Sequence, residues 1–281
     1  MRYVKKKMGE NMNIMYCGDA NIVDGLVMSV LSILKHEKGI INIYLLSMDY
    51  NDKKIIPKKI VELLNKLLKE TNEKSKAVLI NTEKVFKDNI PEANIDTFFT
   101  PYCMLRLYAD LLPIPDKILY LDNDVLANKS FKDFYDLDIS KYEMIGARDF
   151  YGKYFYSKNR ITKEYLNSGV LLLNLELIKK NKSFQKCREL CQKKKMLLPD
   201  QAALNKYCNP RLIVKRKYNE QHKLKKDTVF RHFTTTFKFF PYFRTQKIKP
   251  WNIEKLHSTL KCYEFDDIIE KYLNLKENNY E

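Results

Sequence analysis

Residues 118–126 read Ile118-Leu119-Tyr120-Leu121-Asp122-Asn123-Asp124-Val125-Leu126, a short apolar run that ends in two carboxylates. The run is too short for a helix and has the character of a buried strand, so it would deliver Asp122 and Asp124 to one end of a sheet. Residues two apart on an extended chain point the same way, which turns both carboxylates toward one spot and Asn123 away from it. Two convergent carboxylates make a hard-oxygen metal site. The same letters also serve as turn chemistry after a strand, because Asp and Asn bond their own backbone readily. Taken alone, the triplet leaves both readings open.

Working outward, the flanking segments have the periodicities of an α/β chain. Residues 13–17 form an apolar strand followed by the loop Gly18-Asp19-Ala20-Asn21, and helical spacing predicts a helix over Ile22 to Lys35. A second strand at Ile41 to Leu46 precedes a helix over Pro57 to Glu70, with proline suited to its start. A third apolar run, Ala77 to Ile80, leads to a helix over Tyr102 to Leu111 and then to the strand at 118. Strand–helix alternation predicts a parallel sheet with helices on both faces, whose ligands bind beyond the carboxyl ends of the strands. Asp19 and the Asp122/Asp124 pair would both emerge there.

Further along, Met144 to Ala147 is a candidate strand, and Asp149 to Lys163 has the composition of a surface loop or lid. Residues 165–175 return to buried-strand character. Their Asn167-Ser168-Gly169 interruption suggests a glycine that lets another group approach the backbone closely. One basic helix is expected over Glu176 to Lys195, and another opens at Leu198-Pro199-Asp200-Gln201. The aromatic, basic stretch from Phe230 to Arg244 must bury against something, and Phe265 to Leu275 reads as a short amphipathic helix. The expected organisation is a leader at 1–12, one α/β domain at 13–255 and a helical extension at 256–281.

Lys and Arg number 51 against 35 Asp and Glu, a formal charge of +16 in 281 residues. Such an excess asks for an anionic partner: nucleic acid, an acidic membrane surface or a phosphate-bearing substrate. No zinc-finger spacing or RNA-stacking motif accompanies the lysines, so no nucleic-acid partner is expected. No apolar run reaches the ~20 residues of a membrane span. The expectation is a cytoplasmic protein, with peripheral attachment to an anionic membrane face left open by the charge. The six cysteines form no Cys-x-x-Cys framework, and reduced thiols are expected.

In order, Tyr16-Cys17-Gly18-Asp19-Ala20-Asn21, Tyr102-x-x-Leu105-Arg106-Leu107, residues 117–126, residues 167–175, Asp200-Gln201 and His232 resemble glycosyltransferase family 8. That resemblance implies a retaining GT-A enzyme with a mixed, mainly parallel sheet, using a UDP-sugar and Mn²⁺ or Mg²⁺. It implies that Asp122, Asp124 and His232 bind the metal, and that Asp19 and Asn21 contact the nucleoside. Arg106 would meet the donor near its sugar and phosphates, Asn123 would lie among the donor-binding residues, and Asn167, Ser168, Asp200 and Gln201 would hold the sugar. Gln201 falls where the family places a side chain against the anomeric carbon, with Asp200 as the alternative nucleophile. The acceptor implied is a glycan, glycolipid or glycoprotein.

Two departures stand out. Ile22 occupies the place where many relatives carry a tyrosine able to stack on uracil. The C-terminal motif is split, so that Lys238 keeps the short spacing from His232 while Lys249-Pro250-Trp251 keeps the letters. Reach favours Lys238 as the diphosphate lysine. A sugar-phosphate nucleotidyltransferase would need a Gly-rich phosphate loop near the first strand, where only Gly18 is found.

Overall fold

A computed structural model of the protein describes residues 11–96, 101–151, 164–238 and 244–279. In chain order its first half runs β1 (Met12–Cys17), α1 (Val23–His36), β2 (Ile41–Ser47), α2 (Lys58–Thr71), β3 (Lys76–Asn81) and α3 (Glu83–Lys87). A 3-10 helix (Pro101–Leu111) then leads to β4 (Lys117–Leu121), β5 (Val125–Ala127) and α4 (Lys132–Tyr135). After β6 (Met144–Arg148) and β7 (Leu166–Asn174) come α5 (Leu175–Asn181), α6 (Ser183–Lys193), α7 (Pro199–Tyr207) and β8 (Arg211–Val214). The chain closes with β9 (Phe230–His232), β10 (Thr236–Lys238), β11 (Arg244–Gln246), α8 (Ile253–Leu260) and α9 (Asp266–Asn279).

Seven strands form one sheet in the order β3-β2-β1-β4-β7-β6-β8. β1 pairs parallel with β2 and with β4, and β7 alone runs against its neighbours, pairing antiparallel with β4 and β6. This is the mixed, mainly parallel sheet that the family resemblance implies, and β7 is where it departs from the parallel sheet expected from strand–helix alternation. Every residue of β2 and β7 is buried, as continuous apolar runs covered on both faces require. Period-two alternation divides β1 between two cores. Ile14 and Tyr16 face α1 and α2, while Met15 faces the 3-10 helix and α6.

Two local features place the loop 122–124. The β4–β7 ladder continues one step past the strand, with Asp122 N–H donating to Gly169 O at 2.9 Å. The chain then turns sharply, Val125 N–H donating to Asp122 O at 3.1 Å, and enters β5. β5 pairs antiparallel with β9 in a small second sheet, with Val125 opposite His232. α1 lies beneath this turn at Gly25, where an added Cβ would come within 2.5 Å of both Asn123 O and the Trp251 ring. Glycine here lets a helix lie directly against the loop.

The sequence-based helix limits hold to within a residue or two for α1 and α2. The single helix expected over Glu176 to Lys195 is instead two, α5 and α6, broken at Lys182 with φ 55° in the left-handed region. The break has a polar cause: Asn181 Nδ2 and Ser183 Oγ, on either side of it, both donate to the buried Glu143 Oε1 at 2.6 and 2.8 Å. The segment expected over Tyr102 to Leu111 is helical but wound as a 3-10 helix. From the aromatic stretch, Phe230 and Phe233 enter the core. The loop expected over 149–163 lies outside the described residues beyond 151, and so does the 239–243 part of the aromatic stretch. Among the described residues no helix is long and apolar enough to cross a membrane. The final helix α9 packs on α1, contributing Ile268, Ile269 and Tyr272 to that side's core, with Phe265 just before it.

Candidate functional site

Strand alternation brings Tyr120 and Asp122 to the same face, and the Tyr120 hydroxyl donates to Asp122 Oδ1 at 2.6 Å. Arg106, from the 3-10 helix, lies 3.8 Å above the Tyr120 ring and donates from Nη2 to the same Oδ1 at 3.0 Å. Its remaining fork is committed to Ser168 O at 2.6 Å and Cys103 O at 2.8 Å, and Nε stands 3.4 Å from Asp200 Oδ2. The guanidinium is 3% exposed, so it bridges two carboxylates in a nearly dry setting. Asp122 Oδ2 is left facing outward toward His232.

His232 reaches the carboxylates because its strand pairs with β5 immediately after Asp124. Its Nε2 lies 3.2 Å from Asp124 Oδ1 and 3.6 Å from Asp122 Oδ2. One ligand atom from each of Asp122, Asp124 and His232 can be chosen so that all lie within 4.8 Å of one another. Gly169 makes room for the ring: an added Cβ would sit 2.3 Å from His232 Cε1 and 2.8 Å from Asp122 Oδ2. The close approach expected at this glycine is therefore that of the histidine.

Whether these residues fit a cation can be tested on Asp124. Its carboxylate is buried, and Oδ1 has no hydrogen-bond partner. His232 Nδ1 is paired with Asn219 Oδ1 at 3.1 Å, a contact that requires a proton on Nδ1. With that proton on Nδ1, a neutral ring carries its lone pair on Nε2, 3.2 Å from the unpaired Asp124 Oδ1, and a cation between or beside the two atoms would join them. Two carboxylate oxygens and an imidazole nitrogen are donors suited to Mn²⁺, and the residues fit the group. Burial alone would push the Asp124 carboxyl up, but the Lys249 ammonium beside it outweighs burial and holds the group well below the usual carboxylate range.

The Lys249 ammonium pairs with Asp124 Oδ2 and donates to Phe233 O at 3.0 Å. Lys249, one of the two candidate diphosphate lysines, is thus at the carboxylates. The antiparallel pairing of β10 with β11 lies between His232 and Lys249 in the chain, which lets a lysine seventeen residues on stand beside the same carboxylates. Lys238 itself ends strand β10.

Behind the carboxylates, β7 and the start of α7 form a second polar layer. Gln201 Oε1 accepts from Ser168 N at 3.0 Å and Asn167 Nδ2 at 3.3 Å, and its Nε2 donates to Asp149 Oδ2 at 3.2 Å. Asp200 accepts from Ser168 Oγ at 3.2 Å. Burial pushes the Asp200 carboxyl up against the opposing pull of Arg106. Asp19, at the end of β1, binds Asn21 through both its backbone N and its Nδ2 at 3.0 Å, so the first loop is folded on itself. Asn123 lies against α1 at Gly25, turned from the carboxylates as alternation requires. The half-buried thiols of Cys17 and Cys103, beside Arg106, are pushed up by desolvation, which disfavours a thiolate at either.

Three residues of the site escaped sequence reading. Tyr120 carried a signal, its two-residue offset from Asp122. Asp149 and Asn219 carried none, since both lie in irregular segments and meet the site only through tertiary packing.

This architecture, with carboxylates at the ends of β1 and β4 and an antiparallel β7 beside them, is the GT-A glycosyltransferase fold. A solved galactosyltransferase, LgtC, in complex with donor and acceptor sugar analogs, superposes with a TM-score of 0.65 at 16% identity, covering 94% of this chain and 96% of that one. The family model for glycosyl transferase family 8 matches residues 13–255, and the chain belongs to that family. A putative glycosyltransferase of Haemophilus influenzae is 27% identical over 233 residues, covering 75% of this chain and 63% of that protein. A lipopolysaccharide 1,2-glucosyltransferase of Escherichia coli is 27% identical over 310 residues, covering 98% and 88%. The chain spans less than two thirds of the Haemophilus protein's length.

Proposed function

We propose that this protein is a retaining, metal-dependent hexosyltransferase that moves glucose or galactose from a UDP-sugar to a glycan or glycolipid acceptor with α linkage. The observation that carries the reading is the buried, unpartnered Asp124 Oδ1 converging with Asp122 and His232. These three residues would hold Mn²⁺ or Mg²⁺. When bound, a divalent ion supplies electrostatic stabilisation for the negative charge that gathers on a departing diphosphate. Lys249 adds a positive charge at the same carboxylate, and Arg106 braces Asp122 and Asp200 in one geometry.

Retention requires either a covalent sugar intermediate or attack from the leaving-group side. A carboxamide is a poor nucleophile, and Gln201 Oε1 is already held by Ser168 and Asn167, which supports front-side attack with the leaving phosphate taking the acceptor's proton. Asp200, buried and hydrogen-bonded to Ser168, is the alternative nucleophile. Asp19 and Asn21 are proposed to meet the nucleoside. The name of the Escherichia coli relative, a lipopolysaccharide glucosyltransferase, supports a cell-surface glycolipid as acceptor. The charge of +16 supports peripheral attachment to an anionic membrane.

The test is donor turnover: purified protein with Mn²⁺ and a panel of UDP- and GDP-sugars, reading free nucleoside diphosphate. UDP release with one hexose, lost on chelation and in Asp124→Asn, is expected. Absence of both hydrolysis and metal-dependent donor binding with every sugar would overturn the reading. Flotation with vesicles containing phosphatidylglycerol, reversed by salt, checks the membrane proposal, and salt-independent failure to float removes it.

A further inference from the structure

Two side-chain amides link His232 to a distant carboxylate in a single direction. Asn167 Nδ2 donates to Asp149 Oδ2 at 2.9 Å. Asn219 Nδ2 donates to Asn167 Oδ1 at 2.9 Å, and Asn219 Oδ1 faces His232 Nδ1 at 3.1 Å. Asn219 is fully buried and His232 is 3% exposed, so water does not compete for these groups.

The orientation of an amide is ordinarily a choice made from its neighbours. Here the neighbours leave no choice. The Asp149 carboxylate can only accept, so Asn167 must present its NH₂ to it. Gly169 N, a backbone donor that cannot be flipped, donates to Asn167 Oδ1 at 3.0 Å and pins the same orientation from the other side. With Asn167 Oδ1 fixed as an acceptor, Asn219 must turn its NH₂ toward it and its oxygen toward the imidazole. An oxygen facing Nδ1 requires a proton there, and in a neutral ring that leaves the lone pair on Nε2, the atom aimed at Asp122 and Asp124.

We propose that Asn219 is a positioning residue that sets the His232 tautomer, terminating a polar relay from Asp149 through Asn167 that keeps Nε2 free to ligate a divalent cation. Asn167 belongs to this relay rather than to the sugar-binding surface. Its two N–H groups go to Asp149 and Gln201, and its oxygen accepts from Gly169 and Asn219, so nothing remains to offer a ligand. Metal-bound histidines are oriented in this way by a partner on the other ring nitrogen, and loss of that partner weakens binding 10–100-fold. The inference rests on the metal-binding reading above, but the tautomer can be observed without a metal.

The experiment uses ¹⁵N-histidine-labelled full-length protein, metal-free, at a pH where the His232 ring carries one proton, with its signals assigned by comparison with His232→Gln. Long-range ¹⁵N–¹H correlations read which nitrogen is protonated. Protonated Nδ1 with bare Nε2 is expected in the wild type. Asn219→Leu, close in shape but without polar atoms, should move His232 toward the Nε2–H form and weaken Mn²⁺ binding, followed by the electron paramagnetic resonance of free Mn²⁺, about 10–100-fold. Asn219→Asp, which can still accept from Nδ1–H, should restore the tautomer. A wild-type ring protonated on Nε2 would overturn the proposal even if Asn219→Leu does not fold. So would an Asn219→Leu protein with wild-type tautomer and affinity. A wild type with the expected tautomer that binds no Mn²⁺ would uphold the relay and count against the metal reading alone.

Discussion

Gly169→Ala should uncouple the histidine from the carboxylates. The added methyl would stand 2.3 Å from His232 Cε1, 2.7 Å from Nδ1 and 2.8 Å from Asp122 Oδ2, where ordinary contacts begin near 3.4 Å. Something must retreat by about 1 Å, several times the ~0.2 Å that metal–ligand distances tolerate. The backbone at Gly169 is held on both of its polar groups, its O accepting from Asp122 N and its N donating to Asn167 Oδ1. The ring therefore yields, at about 1–3 kcal/mol of overpacking strain. Mn²⁺ affinity should fall at least tenfold, equivalent to about 1.4 kcal/mol. Trp251, the one tryptophan, lies against the turn at Gly25, so quenching of its fluorescence by Mn²⁺ reads binding directly. Gly146→Ala is the control. Its methyl would meet the movable Leu171 Cδ2 at 2.8 Å, away from the carboxylates, so thermal stability should drop without loss of affinity. Wild-type Mn²⁺ affinity in Gly169→Ala would refute the reasoning.

Arg106→Met should cost about 3–5 kcal/mol in urea unfolding, because it leaves Asp122 and the buried Asp200 without their shared cation; a loss under 1 kcal/mol would contradict that role. Asp200→Asn should lower UDP-sugar turnover sharply while leaving Mn²⁺ affinity near wild type, and nearly intact turnover would remove Asp200 both as nucleophile and as sugar contact. Burial raises the Glu143 carboxyl above its unfolded value, so the stability it contributes is full below about pH 4.3 and is lost as pH rises through the folded value. The unfolding free energy of Glu143→Gln relative to wild type should therefore improve from pH 4 to pH 8, and a pH-independent difference would show the sign to be wrong. Lys182→Gly, at φ 55°, should stabilise the α5–α6 corner by up to about 1 kcal/mol in thermal melts, whereas destabilisation would mean that the lysine side chain matters there.

The sheet was legible because its strands are short apolar runs between helices of clear period, and Asp122 and Asp124 follow from the geometry of one such run. The close approach at Gly169 was legible as an anomaly in a buried strand, but what approaches it was not, since His232 arrives through pairing between β5 and β9. The nearness of Lys249 to Asp124 was not legible from spacing for a similar reason: counting residues from His232 measures contour length, and antiparallel pairing of β10 with β11 shortens the path. The Lys182 break was hidden because helical periodicity runs on through it and the cause, Glu143, lies in a remote segment. Asn219 had no signature of its own, its meaning coming from the polarity of groups on two other elements.

The antiparallel pairing of Val125 with His232 has a further thermodynamic consequence. The two carboxylates lie in the turn that follows β4 of the central sheet, while the imidazole is carried by a strand from the final third of the chain. A divalent ion held between them is a cross-link between early and late segments, and it can form only after the late segment has docked. Since it binds the docked state alone, it draws the equilibrium toward that state by about 2.7 kcal/mol at a hundredfold excess over its dissociation constant. If the proposed metal site is occupied, melting temperature should climb with Mn²⁺ concentration, and the ion would report on complete folding.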